Sequence, residues 1–302
     1  MSLLDGHVVL VTGGGRGLGR AHCLELAAGG AAVVVNDPGV DRDGSGGGYG
    51  PADAVVTEIT RAGGTAVAHT GSVTNWHDAH DMVQRAVTEF GTLTGVVNNA
   101  GILRDEMITS ATEGAWDAVI DVHLKGTFAV TKHACDYWRA RAKQDHPVAA
   151  HVVNTVSGAG LWGNISQGAY SAAKAGIAAL TLVTAMEMQR YGVAVNAISP
   201  LAVTRMSAEY FGDQRAADPE LDPAASSAVV AWLQSPQASW LTGQILRIDG
   251  KRLIRIEGYS EAPRHYVARN GERLEFAELG QAVNWLWDAA PRGLAGPLPT
   301  RR

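Results

Sequence analysis

Short apolar runs alternate with longer amphipathic segments along the first 250 residues. Valine-rich runs bounded by glycine or polar residues indicate buried strands. These predicted strands are His7–Val11, Ala31–Val35, Thr65–His69, Gly95–Val97, Ala150–Thr155, Ala194–Ile198 and Gln244–Ile248. Helical spacing of apolar residues predicts helices between them, over Leu18–Ala28, Ala52–Ala62, Asn75–Phe90, Glu113–Ala142, Tyr170–Tyr191 and Ser226–Ser235. This alternation predicts an α/β, Rossmann-type doubly wound parallel sheet of about seven strands.

The pattern changes after Gly250. Two further strands, Lys251–Gly258 and Arg264–Arg269, are predicted there, followed by a helix over Phe276–Ala289 and a Pro/Gly tail. We therefore expect a main domain over 1–250 and a small C-terminal α+β extension over 251–302, used for packing or subunit contact.

Composition narrows the function classes. Apolar residues make up 46% and charged residues 18%, which indicates a globular protein. The net charge of −5 argues against a nucleic-acid binder. The two cysteines, Cys23 and Cys135, lack metal-ligand spacing, so we expect free thiols and no metal. We see neither a leader sequence nor an apolar run long enough for a membrane span, and we expect a cytoplasmic protein.

A glycine-rich turn follows the first strand. The segment TGGGRGLG, residues 12–19, joins a strand to a helix and places Gly13, Gly17 and Gly19 where a pyrophosphate could approach the backbone. Asp37 closes the second strand, where a carboxylate can bind ribose hydroxyls and would repel a 2′-phosphate. Arg16 argues the other way, because a basic side chain in this loop could reach that phosphate. We give Asp37 more weight and predict NAD, with NADP less favoured.

Tyr170 and Lys174 are four residues apart, on one face of a predicted helix. An ammonium beside a phenol favours the phenolate and lowers the pKa of the phenol. Tyr170 would then be a usable acid or base. Ser157 follows the fifth strand and could donate a hydrogen bond to a carbonyl oxygen.

Taken together, TGGGRGLG, NNAG at 98–101, Ser157, YSAAK at 170–174 and Ser199-Pro200 resemble the short-chain dehydrogenase/reductase family over roughly residues 5–250. Within the family, the sequence most resembles one branch, the (3R)-hydroxyacyl-CoA dehydrogenase unit of peroxisomal multifunctional enzyme type 2. The segments that carry this resemblance are VVVNDPG, NNAGILRDEM, VHLKGTF and WGNISQGAYSAAK.

The resemblance implies roles for individual residues. Tyr170 would be the general base in alcohol oxidation, Lys174 would lower its pKa and hold the nicotinamide ribose, and Ser157 would position the substrate oxygen. The implied cofactor-binding residues, besides Tyr170 and Lys174, are Gly13, Arg16, Gly17, Leu18, Gly19, Asp37, Ser72, Val73, Asn99, Ala100, Gly101 and Pro200.

The chain departs from the family pattern at His123, where the family usually has an Asn that supports a relay water. A neutral His could carry that water, or it could be an ordinary helix residue. Ser199-Pro200-Leu201 also replaces the usual Pro-Gly.

The loops at the carboxyl ends of the strands should fix the substrate. The candidates, each of which could equally be ordinary packing, are Leu103, Met107, Leu161, Trp162, Met206, Tyr210 and Phe211, with Arg104, Arg205 and Arg215 for phosphates. We expect an oxidoreductase acting on a (3R)-3-hydroxyacyl-CoA or 3-oxoacyl thioester. The alternatives are a hydroxysteroid or sterol side-chain alcohol dehydrogenase, and a non-catalytic NAD-binding subunit. The family implies a homodimer or homotetramer formed through the two long helices.

Overall fold

The computed structural model describes residues 2–46, 50–202, 221–258, 266–268 and 276–286. An eight-stranded sheet has the strand order β3-β2-β1-β4-β5-β6-β7-β8 and is parallel except at β8. The strands are β1 (Val8–Thr12), β2 (Ala32–Asn36), β3 (Thr65–His69), β4 (Gly95–Asn98), β5 (Ala150–Thr155), β6 (Val193–Leu201), β7 (Ile245–Asp249) and β8 (Arg252–Ile256). The predicted Rossmann-type α/β fold is confirmed.

Helices cover both faces of the sheet. They are α1 (Gly17–Ala28), α2 (Pro51–Arg61), α3 (Trp76–Phe90), α4 (Glu113–Ile120), α5 (Gly126–Lys143), α6 (Gly158–Trp162), α7 (Gly168–Met188) and α8 (Pro223–Leu233). One apolar layer, which includes Leu26 and Ile59, packs beneath α1, α2 and α8. The other, which includes Met82 and Trp138, packs beneath α3, α5 and α7. Successive valines of β1 and β2 alternate between the two layers, which is why these strands are apolar throughout.

The strand order reverses at β1, which lies between β2 and β4. The connections leaving β1 and β4 therefore run in opposite directions and open a crevice at the carboxyl ends of these strands. This is the place where open α/β sheets bind ligands.

The long helical stretch predicted over Glu113–Ala142 is interrupted. Between α4 and α5 the chain forms a π-helical turn, Asp121–Lys125. Such a turn inserts an extra residue into the helical repeat, and it is common at functional sites. His123 lies in this turn, with 1% of its surface exposed.

Contacts divide the chain into two units, Met1–Ile256 and Glu257–Arg302. The predicted strand Lys251–Gly258 is β8, which pairs antiparallel with β7 in the main sheet. In the second unit the predicted helix is found as α9 (Phe276–Leu286). The predicted strand Arg264–Arg269 and the polar segment Leu201–Pro223 lie largely outside the described residues.

By length and apolarity alone, α7 and its following turn, Gly168–Tyr191, could cross a membrane. However, this helix buries Lys174, Ile177 and Thr181 on the face that packs against the rest of the fold. Because the core helix of a soluble protein passes the same test of length and apolarity, this one helix does not by itself indicate a membrane span.

Candidate active site

A cavity of about 430 Å³ occupies the crevice at the carboxyl ends of the strands. Its walls come from the loops that follow β1, β2, β3 and β4, and from the π-helical turn and α7. The predicted residues that line it are Gly13, Arg16, Gly17, Leu18, Gly19, Asp37, Ser72, Val73, Asn99, Ala100, Gly101, His123, Tyr170 and Lys174. Ser157 and Pro200 are not among its lining residues.

The glycine turn has the shape that a bound pyrophosphate requires. Gly13 and Gly17 have φ of +63° and +51°, in the left-handed region that favours glycine. A methyl group on Gly19 would lie 2.0 Å from the carbonyl oxygen of Gly13. No side chain caps the start of α1. The first amides of α1 therefore remain available to an anion, and these residues fit a dinucleotide.

Asp37 is fixed at the end of β2 by backbone amides. Gly15 donates to its Oδ2 at 3.0 Å, and Gly39 donates to its Oδ1 at 2.8 Å. Arg16 points to a different partner, since its Nη1 donates to the carbonyl of Val40 at 2.9 Å. The charge placed where the adenosine ribose would lie is therefore the carboxylate.

Asn99 braces the glycine turn from the next strand. Its side-chain amide donates to the carbonyls of Thr12 and Gly13, both at 3.1 Å. The backbone amide of Ser72 donates to the Asp78 carboxylate at 2.8 Å. Both residues thus hold the walls of the cavity as well as line it.

Tyr170 and Lys174 line the cavity, and Ser157 lies against Tyr170 from outside that lining. The Nζ of Lys174 donates to the carbonyl of Thr155 at 2.6 Å and lies 5.7 Å from the centre of the Tyr170 ring. The hydroxyl of Ser157 hydrogen-bonds with the Tyr170 side chain. Ser157 also accepts from the amide of Ala159, at the start of α6. Helix α6 packs tightly here, because a methyl group on Gly160 would lie 2.6 Å from Cβ of Lys174.

The pKa of Tyr170 shifts in the direction opposite to the one we expected from Lys174. Burial raises the pKa of the Tyr170 phenol, the hydrogen bond with Ser157 lowers it, and the negative charge of Asp105 raises it, with an upward net direction. Burial also lowers the pKa of Lys174 from 10.5 to about 7. The sequence spacing indicates only that a lysine lies near a phenol. In the folded chain, burial is the largest influence on the pKa of both groups.

His123 lies against the ring of Tyr170. The two rings meet edge to face, with centroids 5.1 Å apart. Nε2 of His123 is 2.8 Å from the carbonyl of Ile102 and 3.1 Å from its amide. Burial, with the positive charge of Lys174, lowers the pKa of His123 to about 3, so the ring is neutral at physiological pH. Among the described residues its Nδ1 has no hydrogen-bond partner.

The structure sorts the substrate candidates into different roles. Leu103 is buried and Leu161 packs against a small core cluster, whereas Met107 and Trp162 are 53% and 57% exposed. Arg104 lines the cavity and donates to the carbonyls of Asp43 and Gly114. The remaining candidates lie outside the described residues: Met206, Tyr210, Phe211, Arg205 and Arg215.

Residues that we did not predict also shape the site. Val40, Asp41 and Gly44, from the glycine-rich loop after β2, line the cavity. This loop is joined to the one after β4, since the amide of Leu103 donates to the carbonyl of Arg42 at 3.0 Å. The glycine-rich sequence of Asp41–Gly50 is typical of a loop, but nothing in that sequence indicates which part of the protein the loop contacts.

Comparison with known proteins defines the class of this fold and site. The short chain dehydrogenase family matches residues 7–215. The chain belongs to that family and is an oxidoreductase, and the family uses NAD or NADP.

Three similar proteins narrow the class further. "Hydroxyacyl-CoA dehydrogenase ChsB1" of Mycobacterium tuberculosis is 43% identical over 258 residues, which cover 83% of this chain and 79% of that protein. "Peroxisomal multifunctional enzyme type 2" of Mus musculus is 44% identical over 67% of this chain but only 26% of that protein. A crystal structure of a short chain dehydrogenase from Mycobacterium avium superposes with a TM-score of 0.86 at 47% identity, covering 99% of this chain and 100% of that one.

Proposed function

We propose that this enzyme transfers a hydride between NAD and the hydroxyl-bearing carbon of a (3R)-3-hydroxyacyl-CoA, forming the 3-oxoacyl thioester. The observation that carries the proposal is the meeting of Ser157, Tyr170 and Lys174 beside a cavity whose glycine turn fits a pyrophosphate. Relatives named as hydroxyacyl-CoA dehydrogenases support the substrate class.

The chain's own residues supply the proton chemistry. In alcohol oxidation Tyr170 accepts the hydroxyl proton of the substrate, and in reduction it returns that proton. Ser157, already hydrogen-bonded to Tyr170, orients the substrate oxygen. Lys174 is held by the Thr155 carbonyl beside the phenol. The nicotinamide ring, when bound, accepts or gives the hydride. His123, neutral and in ring contact with Tyr170, has a ring nitrogen suited to accept a bond from a relay water.

Two side chains support the proposed preference for NAD over NADP. The Asp37 carboxylate is held rigidly by two amides, so a 2′-phosphate would meet a fixed negative charge. Arg16 donates to Val40. Because this guanidinium already donates to the backbone, a 2′-phosphate would have to compete for it, and Arg16 is a weaker argument for NADP than its sequence position suggests.

The test is NAD reduction with a (3R)-3-hydroxyacyl-CoA, run beside its (3S) isomer and a hydroxysteroid, and repeated with NADP. We expect turnover of the (3R) thioester with NAD, at a kcat/KM at least about tenfold above each other combination. Turnover of the steroid without turnover of either thioester would instead support a hydroxysteroid or sterol side-chain alcohol dehydrogenase. NAD binding without turnover of any alcohol would favour a non-catalytic subunit.

We also propose a homo-oligomer formed through α5 and α7. Both helices expose large apolar side chains, among them Phe128, Leu182, Val183 and Met186. Light scattering at micromolar concentration should give a mass of two or more chains. Met186→Glu places a charge in this surface and should reduce the mass to one chain. Leu253→Glu, on β8 and also exposed, is the matched control and should leave the mass unchanged. A monomeric parent would contradict the proposal.

A further inference from the structure

The start of α7, three residues before Tyr170, is tied to the loop that follows β4. Gln167, 5% exposed, donates from Nε2 to Oδ1 of Asp105 at 3.1 Å. The Oε1 of Gln167 accepts a hydrogen bond from the side-chain amide, Nδ2, of Asn164 at 2.9 Å. The backbones of Glu106 and Gln167 also form a parallel bridge. The first turn of the catalytic helix is therefore joined to this loop through both side chains and backbone.

The turn that precedes α7 is strained. Ser166 has a φ of +64°, and it is not a glycine. This left-handed conformation is disfavoured for a residue that carries a β-carbon. Such a conformation persists where the surrounding contacts determine it, and it is frequent where a site is held in a fixed geometry. Asn164, Gln167 and Asp105 provide those contacts on either side of Ser166.

The neighbouring carboxylate, Glu106, serves a different helix. Its Oε2 accepts from the amide of Thr112 at 2.7 Å, and the side chain of Thr112 caps the start of α4. Two successive acidic residues thus hold the starts of two helices, and of these two it is Asp105 whose charge raises the pKa of Tyr170. The other titratable groups facing the phenol, within the described residues, are Lys174 from α7 itself and the neutral His123 from the π-helical turn.

We propose that Asp105 is a positioning residue for Tyr170: through Gln167 it fixes the first turn of the catalytic helix, and its hydrogen bond with Gln167 holds a negative charge at the start of that helix. The inference rests on Tyr170 acting as the acid and base of the proposed reaction. A negative charge here favours the neutral phenol over the phenolate. The Asp105 charge thereby favours the protonated phenol, which is the form that gives its proton to the substrate oxygen in the reduction direction.

The charge is tested by titrating Tyr170 without any substrate. Ultraviolet difference absorbance of tyrosinate, measured against Tyr170→Phe, gives the midpoint for this residue. Asp105→Asn keeps an oxygen for Gln167 and removes the charge, so the midpoint should move to lower pH. Glu106→Gln removes the neighbouring charge and should leave the midpoint where it is in the parent. Equal midpoints in all three proteins would overturn the electrostatic part of the proposal.

The tether is tested by kinetics. Gln167→Ala keeps the Asp105 charge and breaks the link, so kcat should fall on the order of tenfold while KM changes less, because the phenol is misplaced relative to bound substrate. Restoring the amide with Gln167→Asn should recover part of kcat. A Gln167→Ala variant as fast as the parent would overturn the tether. If the parent oxidises no 3-hydroxyacyl thioester, the proposed function fails, while the titration still decides the role of the Asp105 charge.

Discussion

Tyr170→Phe should lower kcat for 3-hydroxyacyl-CoA oxidation by about 10²- to 10⁴-fold, the range that a positioned acid or base contributes. The phenol is the group placed to exchange a proton, and the ring that remains keeps the contact with His123. NAD affinity, measured by calorimetric titration, should change little, because the glycine turn and Asp37 are untouched.

The matched control is Tyr137→Phe. Tyr137 also carries a hydrogen-bonded hydroxyl, which donates to Thr92 at 3.3 Å, but it lies on α5 away from the cavity. Its kcat should equal that of the parent. Substantial activity in Tyr170→Phe would mean that another group moves the proton.

Lys174→Met should abolish most activity. At the same time it should stabilise the folded protein without cofactor at neutral pH. Folding shifts the pKa of Lys174 from 10.5 to about 7, so the unfolded chain binds more protons between these values. The parent's free energy of unfolding should therefore rise with pH across this window, by up to about 4 kcal/mol from this group. Methionine has no proton to lose, so that slope should vanish in the variant.

Near pH 7 we expect the variant to be more stable by about 2–3 kcal/mol, since the lost hydrogen bond to Thr155 offsets about 1 kcal/mol of the gain. Urea unfolding between pH 7 and 9.5 measures the difference, which should shrink as the pH rises. Lys125→Met is the control: this lysine is half-exposed and pairs with Asp121, so the parent's pH dependence should remain. A variant that follows the parent at every pH would show that burial of Lys174 costs nothing.

Much of the fold was predictable because strands and helices of this class differ sharply in apolar spacing. The seven parallel strands lie within a few residues of their predicted positions. The π-helical turn at Asp121–Lys125 was not predictable, because a shift of one position does not stand out in a helical stretch whose apolar and polar residues are already mixed. Strand β8 was predicted as a strand but placed in the extension, because its partner β7 is identified only by the hairpin geometry at Gly250.

The site residues divide in the same way. Gly13, Asp37, Tyr170 and Lys174 could be identified because their chemistry depends on local spacing. Asp105 lies within the motif NNAGILRDEM that we noted, but its link to Gln167 spans 62 residues and has no local signal. The predicted direction of the Tyr170 pKa shift was wrong for the same reason: burial of the phenol, which raises its pKa, depends on residues that are distant in the sequence.

Within the residues that the structure describes, β8 is the terminal strand of the main sheet, and a terminal strand offers unpaired backbone groups to any other chain that can add to it. This strand is only five residues long, and the side chains of Arg252 and Arg255 are exposed along it. A second copy approaching edge to edge would bring arginine against arginine. The arrangement discourages growth of the sheet from one molecule into the next, and so protects the protein from aggregating by strand addition when it is concentrated.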